Sequence, residues 1–176
     1  MPAIEESIFN GVAINVTLLF SAAQYVAAAE ACMRGIERRI AAGLDPRVDS
    51  AASLFESRWD VAVHDTVPPA LRNRLGIAMA QRTYREYRDV LSSPRWRALA
   101  AVGARPQRLL RASTGTRNPN ASDTLHIEAL AAPDTIDTTP DKTLAAFADP
   151  GRVEKTLPLD GGDAEAVLAE FMRAGD

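Results

Sequence analysis

Ile14-Asn15-Val16-Thr17-Leu18-Leu19-Phe20-Ser21 reads as a buried strand running into a helix cap. Its β-branched and large apolar residues suit a strand covered on both faces, as in a parallel sheet. Two polar side chains interrupt the run. A spacing of two sets Asn15 and Thr17 on one face, with Val16 and Leu18 on the other. Buried amide and hydroxyl groups cost free energy unless they are hydrogen-bonded, so a strand carrying both aims them at something polar. A capping or core hydrogen bond is one such use, and a ligand is another. The apolar stretch extends from Gly11 to Phe20, and Ser21 stands where an N-cap belongs.

Outward from this strand, Tyr25, Val26, Ala29, Met33, Ile36 and Ile40 recur at steps of one, three and four, which predicts an amphipathic helix ending near Gly43. Asp45-Pro46 turns the chain into a second strand around Val48 to Phe55, and a polar segment follows from Arg58. Strand, helix, strand at this spacing is a βαβ unit. After Pro68-Pro69, the rhythm of Ile77, Ala80, Tyr84, Tyr87 and Leu91 predicts a long helix that breaks near Pro94 and resumes through Trp96 and Leu99. Leu109 to Ser113 is the third strand candidate, Asp123 to Leu130 a helical patch, and Asp134 to Thr138 the last strand, with a helix over Thr143 to Ala148. Gly151 to Gly162 reads as a linker to a short helix from Asp163. The expected organisation is residues 1–150 as one α/β unit of four strand-helix pairs, and 151–176 as a linker and a terminal helix cut short at Asp176. Four such pairs make half of a parallel barrel or a small open sheet.

The chain has 176 residues and 47% apolar content, ordinary for one domain. A complete eight-fold barrel typically needs about 250. A net charge of -3 and a pI near 5.5 supply no drive toward nucleic acid or an anionic membrane. A single cysteine, Cys32, excludes an internal disulfide and a cysteine-rich metal site. The apolar stretch from Gly11 follows Glu5 and Glu6 instead of a basic segment, unlike a signal peptide, and no stretch reaches the ~18 apolar residues of a membrane span. The expectation from these features is a cytoplasmic chain. Only Lys142 and Lys155 among the twenty basic residues are lysines.

Three groups carry candidate chemistry. Asn15 and Thr17 share a face near the end of a strand that feeds a helix, where barrel active sites sit. Ser53, Phe55 and Ser57 share a face of the second strand, and Arg58 follows, placed either for a surface salt bridge or to meet an anion. In Arg108-Leu109-Leu110-Arg111-Ala112-Ser113-Thr114-Gly115-Thr116-Arg117-Asn118-Pro119, a glycine among hydroxyls beside an arginine at a strand end suits phosphate: backbone N–H groups approach closely and the guanidinium adds charge. His64 and His126 fit no metal or triad spacing and read as surface or packing residues. Trp59 and Trp96 read as packing residues.

These segments, with Asp134 to Pro140 and Thr143 to Phe147, resemble the bacterial-type transaldolase family in order and separation, from about Ile4 to about Phe171. The resemblance covers only the later half of that family's barrel. It implies an α/β fold, a partial (β/α)8 barrel lacking its first half. It also implies transfer of a dihydroxyacetone unit between sugar phosphates in the pentose phosphate pathway, through a lysine Schiff base and without a cofactor or metal. By resemblance, Asn15 contacts substrate, Thr17 helps hold the catalytic water, and Ser53, Arg58, Ser113 and Arg117 bind substrate, the arginines at its phosphate. Five positions depart from the family pattern. Glu56 stands at an apolar position and needs a partner or an exposed edge; Arg111 stands for tryptophan and Arg117 for lysine; and Asp137 and Thr139 replace Asn and Met.

The segment bearing the family's Schiff-base lysine lies ahead of Met1 in this reading. An arginine cannot substitute, because its guanidinium is not a free nucleophilic amine. The chain alone is therefore expected to be inactive, its missing half supplied by another chain or lost. The rival expectation is a non-catalytic half-barrel that self-associates or binds sugar phosphates. A complete small phosphatase or binding protein ranks third, having no nucleophile-centred motif.

Overall fold

A computed structural model describes residues 1–148 and 151–175. The expected domain boundary at Pro150 and the last residue, Asp176, lie outside the described residues. Four strands, β1 (Ile14–Leu19), β2 (Ser50–Phe55), β3 (Gln107–Ala112) and β4 (Thr135–Asp137), form one parallel sheet in chain order. Helices α1 (Pro2–Phe9), α2 (Ala22–Ala41), α3 (Ser57–Val63), α4 (Leu75–Ser92), α5 (Pro94–Ala101), α6 (Leu125–Ala129), α7 (Asp141–Ala148) and α8 (Ala164–Gly175) complete the described elements, with a 3-10 turn at Pro69–Leu71. Sequential parallel order with helical crossovers is the arrangement of consecutive barrel units. The chain is an α/β half-barrel.

Period-two alternation selects the buried face. Val16, Ala52, Leu54 and Leu109 pack against Tyr25, Ala28 and Ala29 of α2 and Ala80, Tyr84 and Tyr87 of α4. A second cluster joins Ile8, Cys32, Met33, Ile36, Trp96 and Leu99, tying α1, α2 and α5 together. Ser21 accepts the Gln24 amide at 3.3 Å and so caps α2, as its position suggests. Ser93 does the same for α5 through the Trp96 amide, where Pro94 opens the new helix.

The structure adds one helix the sequence reading did not assign and corrects three local expectations. Residues 2–9 form a helix, which Gly35 admits at close range: a Cβ there would stand 2.7 Å from the Glu5 carbonyl oxygen and from Ile8 Cβ. The segment from Arg58 is helical, and Ser57 opens α3 instead of extending the strand face. The first strand is not buried on both sides, since Asn15 and Thr17 are exposed. Finally, Leu18 does not share the face of Val16: it adopts a left-handed φ of 61° where the β1–β2 register shifts, which leaves it 52% exposed and turns Leu19 into the core. The segment 151–163 returns to the body of the fold. The Leu157 amide bonds the Ala131 carbonyl at 2.8 Å, Leu157 is buried in the main core, and α8 packs on α4 with an Arg74–Glu170 ion pair at 2.7 Å.

Candidate substrate-binding site

Asn15, Thr17, Ala51, Ser53, Arg108, Leu110 and Ile136 alternate onto the sheet face opposite the α2–α4 layer. Asn15 is the second residue of β1, so it sits lower on the strand than a terminal position, and its Oδ1 accepts the Ser53 hydroxyl at 2.7 Å. Thr17 is exposed on the same face. At the carboxyl ends of the strands, Phe20, Phe55 and Trp59 cluster, with ring centroids 5.7 Å apart for Phe20–Phe55 and 6.4 Å for Phe20–Trp59. The Trp59 indole N–H bonds the Phe20 carbonyl at 2.8 Å, joining the end of β1 to α3. Arg58 is exposed, and its guanidinium carbon lies 4.5 Å from the centre of the Phe55 ring, within cation–π range.

Ser113 leaves β3 in a left-handed conformation, φ 57°, and its hydroxyl meets that of Ser57 at 2.9 Å. Arg117 is exposed and lines a cleft of about 320 Å³ with Ser57, Asp60, His64, Asn118 and His126. The structure thus pairs Asn15 with Ser53, and Ser57 links Ser113 to the cleft of Arg117. Arg58 lies on the aromatic cluster and Arg117 in the cleft.

The departures at Glu56 and Arg111 explain one another. Glu56 is fully buried at the end of β2, and Arg111 of β3 is 5% exposed. The guanidinium donates to both carboxylate oxygens, Nε to Oε1 at 2.7 Å and Nη2 to Oε2 at 3.2 Å. It also donates to the His126 carbonyl at 2.8 Å and to the Leu130 carbonyl. Asp137 Oδ2 stands 3.7 Å away, while Asp137 Oδ1 accepts from Thr114 and Thr139 at 3.0 Å each. Burial alone would raise the Glu56 carboxyl, but the Arg111 charge and the His126 and Arg111 contacts hold it below the usual range.

Sequence reasoning missed His126. It is buried between two carboxylates, with Nδ1 3.5 Å from Glu56 and Nε2 3.5 Å from Asp60. Desolvation pushes its pKa down, yet Asp60 and Glu56 outweigh that and lift it to about 9. The Asp60 carboxylate in turn accepts the Gly76 amide at 3.0 Å, at the head of α4. The only sequence signal was the unexplained acid at position 56, which demanded cations nearby.

Neither lysine reaches this face. Lys142 heads α7 beyond β4, is exposed, and pairs with Asp123 at 3.1 Å. Lys155 lines a cleft with Gln81 of α4 and Glu128 of α6, on the helix side. Among the described residues no cluster of His, Cys, Asp or Glu could hold a metal ion, and no helix is long and apolar enough to cross a membrane.

A family model described as transaldolase/fructose-6-phosphate aldolase matches residues 1–175. The transaldolase of Parafrankia sp. (strain EAN1pec) is 44% identical over 184 aligned residues, which cover 99% of this chain and 50% of that protein. Transaldolases of Thiobacillus denitrificans and of Neisseria meningitidis serogroup A are 45% and 40% identical, covering 94% and 98% of this chain and 48% and 50% of their own length. The chain spans about half the length of the curated relatives it matches. Because that match runs the whole length of the four-stranded sheet and its helices, the chain belongs to the transaldolase/fructose-6-phosphate aldolase family.

Proposed function

We propose that this chain supplies the substrate-binding later half of a transaldolase site and does not turn over sugar phosphates by itself. The reading assigns the pentose phosphate pathway reaction, in the cytoplasm, in which a dihydroxyacetone unit passes between sugar phosphates. Asn15 and Thr17 support the chemistry, Ser53 and Ser113 meet substrate hydroxyl or phosphate oxygens, and Arg58 and Arg117 supply charge for a phosphate. No cofactor or metal takes part in it.

The observation that carries the reading is the separation of amines from the binding groups. A Schiff-base lysine owes its nucleophilicity to an enclosed pocket or a cationic neighbour. Lys142 stands in solvent beside an acid, and Lys155 lies behind the helix layer. Catalytic groups act as a unit, so binding groups without the amine retain affinity and lose turnover. The test is exchange between fructose 6-phosphate and erythrose 4-phosphate, with borohydride to trap any lysine adduct. The purified chain is expected to give neither product nor adduct; turnover with a trapped Lys142 or Lys155 sinks the reading. The second reading, a self-associating non-catalytic half-barrel, draws support from the sheet face left uncovered and the edges of β1 and β4 left unpaired among the described residues.

A further inference from the structure

We propose that Glu56, Arg111, His126 and Asp60 are positioning residues that fix the loop 113–124, and through it Ser113 and Arg117, for binding a phosphate group. This rests on the anion-binding role given above to Ser113 and Arg117. The loop leaves β3 one residue after Ala112 and returns into α6 at Leu125, and one guanidinium holds both its feet. Arg111 belongs to the strand at its start and donates to the His126 and Leu130 carbonyls at its return. Two further donors go to Glu56, whose backbone amide bonds the Ala112 carbonyl at 3.1 Å.

Further ties point the same way. The Ser57 amide donates to the Ser113 carbonyl at 3.2 Å, the two hydroxyls meet, and Thr114 bonds Asp137 and the Thr138 carbonyl. His126 then braces the return of the loop against Glu56 and Asp60, and Asp60 is anchored to the head of α4. An apolar pair at positions 56 and 111 would fill the same space and make none of these directional bonds. A planar, forked cation that makes four directed hydrogen bonds sets orientation as well as packing.

The charged groups around the His126 ring are Glu56 from the end of β2, Asp60 from α3, Arg111 from β3 and, across the cleft, His64, Asp65 and Arg117. Asp137 of β4 reaches the cluster through Arg111. Removing the imidazolium charge leaves Glu56 and Asp60 facing each other across a neutral ring, which loosens the brace at the loop's return.

The experiment titrates inorganic phosphate into the whole chain by NMR, reading the amides of Ser113 and Thr114 and the Arg117 guanidinium. It is repeated from about pH 7 to about pH 10. The wild-type chain is expected to bind with shifts at all three positions. The paired substitution Glu56→Leu with Arg111→Leu tests the brace, because replacing a buried ion pair by packed apolar groups commonly preserves folding. It is expected to keep a cooperative unfolding transition while phosphate affinity falls roughly tenfold or more. The wild-type chain is expected to lose affinity as pH rises through about 9. His126→Gln leaves the ion pair in place and decides the matter if the double variant does not fold; it is expected to remove that alkaline loss. A folded double variant, or His126→Gln, with wild-type affinity and pH response overturns the positioning roles and leaves the anion site standing. A wild-type chain in which phosphate moves neither Ser113 nor Arg117 overturns the anion site, and the positioning roles with it.

Discussion

Arg111 has an unusually large number of obligations for one side chain: two carboxylate oxygens and two carbonyls from three residues converge on it. Removing it alone strands the Glu56 charge in a fully buried site. Arg111→Met is therefore expected to cost about 3–5 kcal/mol in chemical denaturation, while Glu56→Leu added to Arg111→Leu recovers most of that loss. The same cluster sets a pH response. His126 has its pKa raised from 6.5 to about 9, so its stabilising contribution is complete below its unfolded value and disappears as pH rises through about 9. Glu56 is shifted downward, so its contribution holds above the ordinary carboxylate range and is lost as pH falls through its lowered value. Thermal melting across pH is expected to show a plateau that ends near pH 6.5 and a decline from there to about pH 9, and His126→Gln flattens that alkaline side. The need of Glu56 for a partner was legible in sequence. The partner was not, because Arg111 is 55 residues away and strand register decides which side chains meet. Cys32 was read correctly as unpaired, and its burial pushes the thiol up to about 11, which leaves it a slow target for alkylation in the native state.

Among the elements, the long helices were visible because their three-four apolar rhythm survives any tertiary context. Helix α1 was not: eight residues with Ile4 and Ile8 as inward contacts offer too little period to detect, and its order depends on docking against α2. That docking is testable at one atom. Gly35→Ala places a methyl group 2.7 Å from the Glu5 carbonyl and from Ile8, and is expected to destabilise by about 1–3 kcal/mol while leaving α2 itself a better helix. Far-ultraviolet dichroism that holds while the melting temperature drops would show that the loss lies in packing. Strand β1 tells the converse story. Its residue pattern announced the strand and its polar face correctly, whereas its burial was read from hydrophobicity alone, which says nothing about whether a second layer lies over the Asn15 face.

For the molecule as a whole, the described residues leave one sheet face uncovered and two strand edges unpaired, which makes self-association the expected behaviour. Sedimentation at rising concentration should give a mass above that of one chain by tens of micromolar, roughly. A single mass at every concentration would show that the polar groups on that face keep it solvated. All four strands point one way, and the two free edges differ, a six-residue β1 against a three-residue β4. A closed pair that keeps every strand parallel forms in one way: half a turn about an axis running along the strands sets β1 of each copy beside β4 of the other, whereas an axis across the strands would reverse their direction. A vessel closed in that way would print its polar floor twice, with two amides and two sets of hydroxyls facing inward and still no lysine among them.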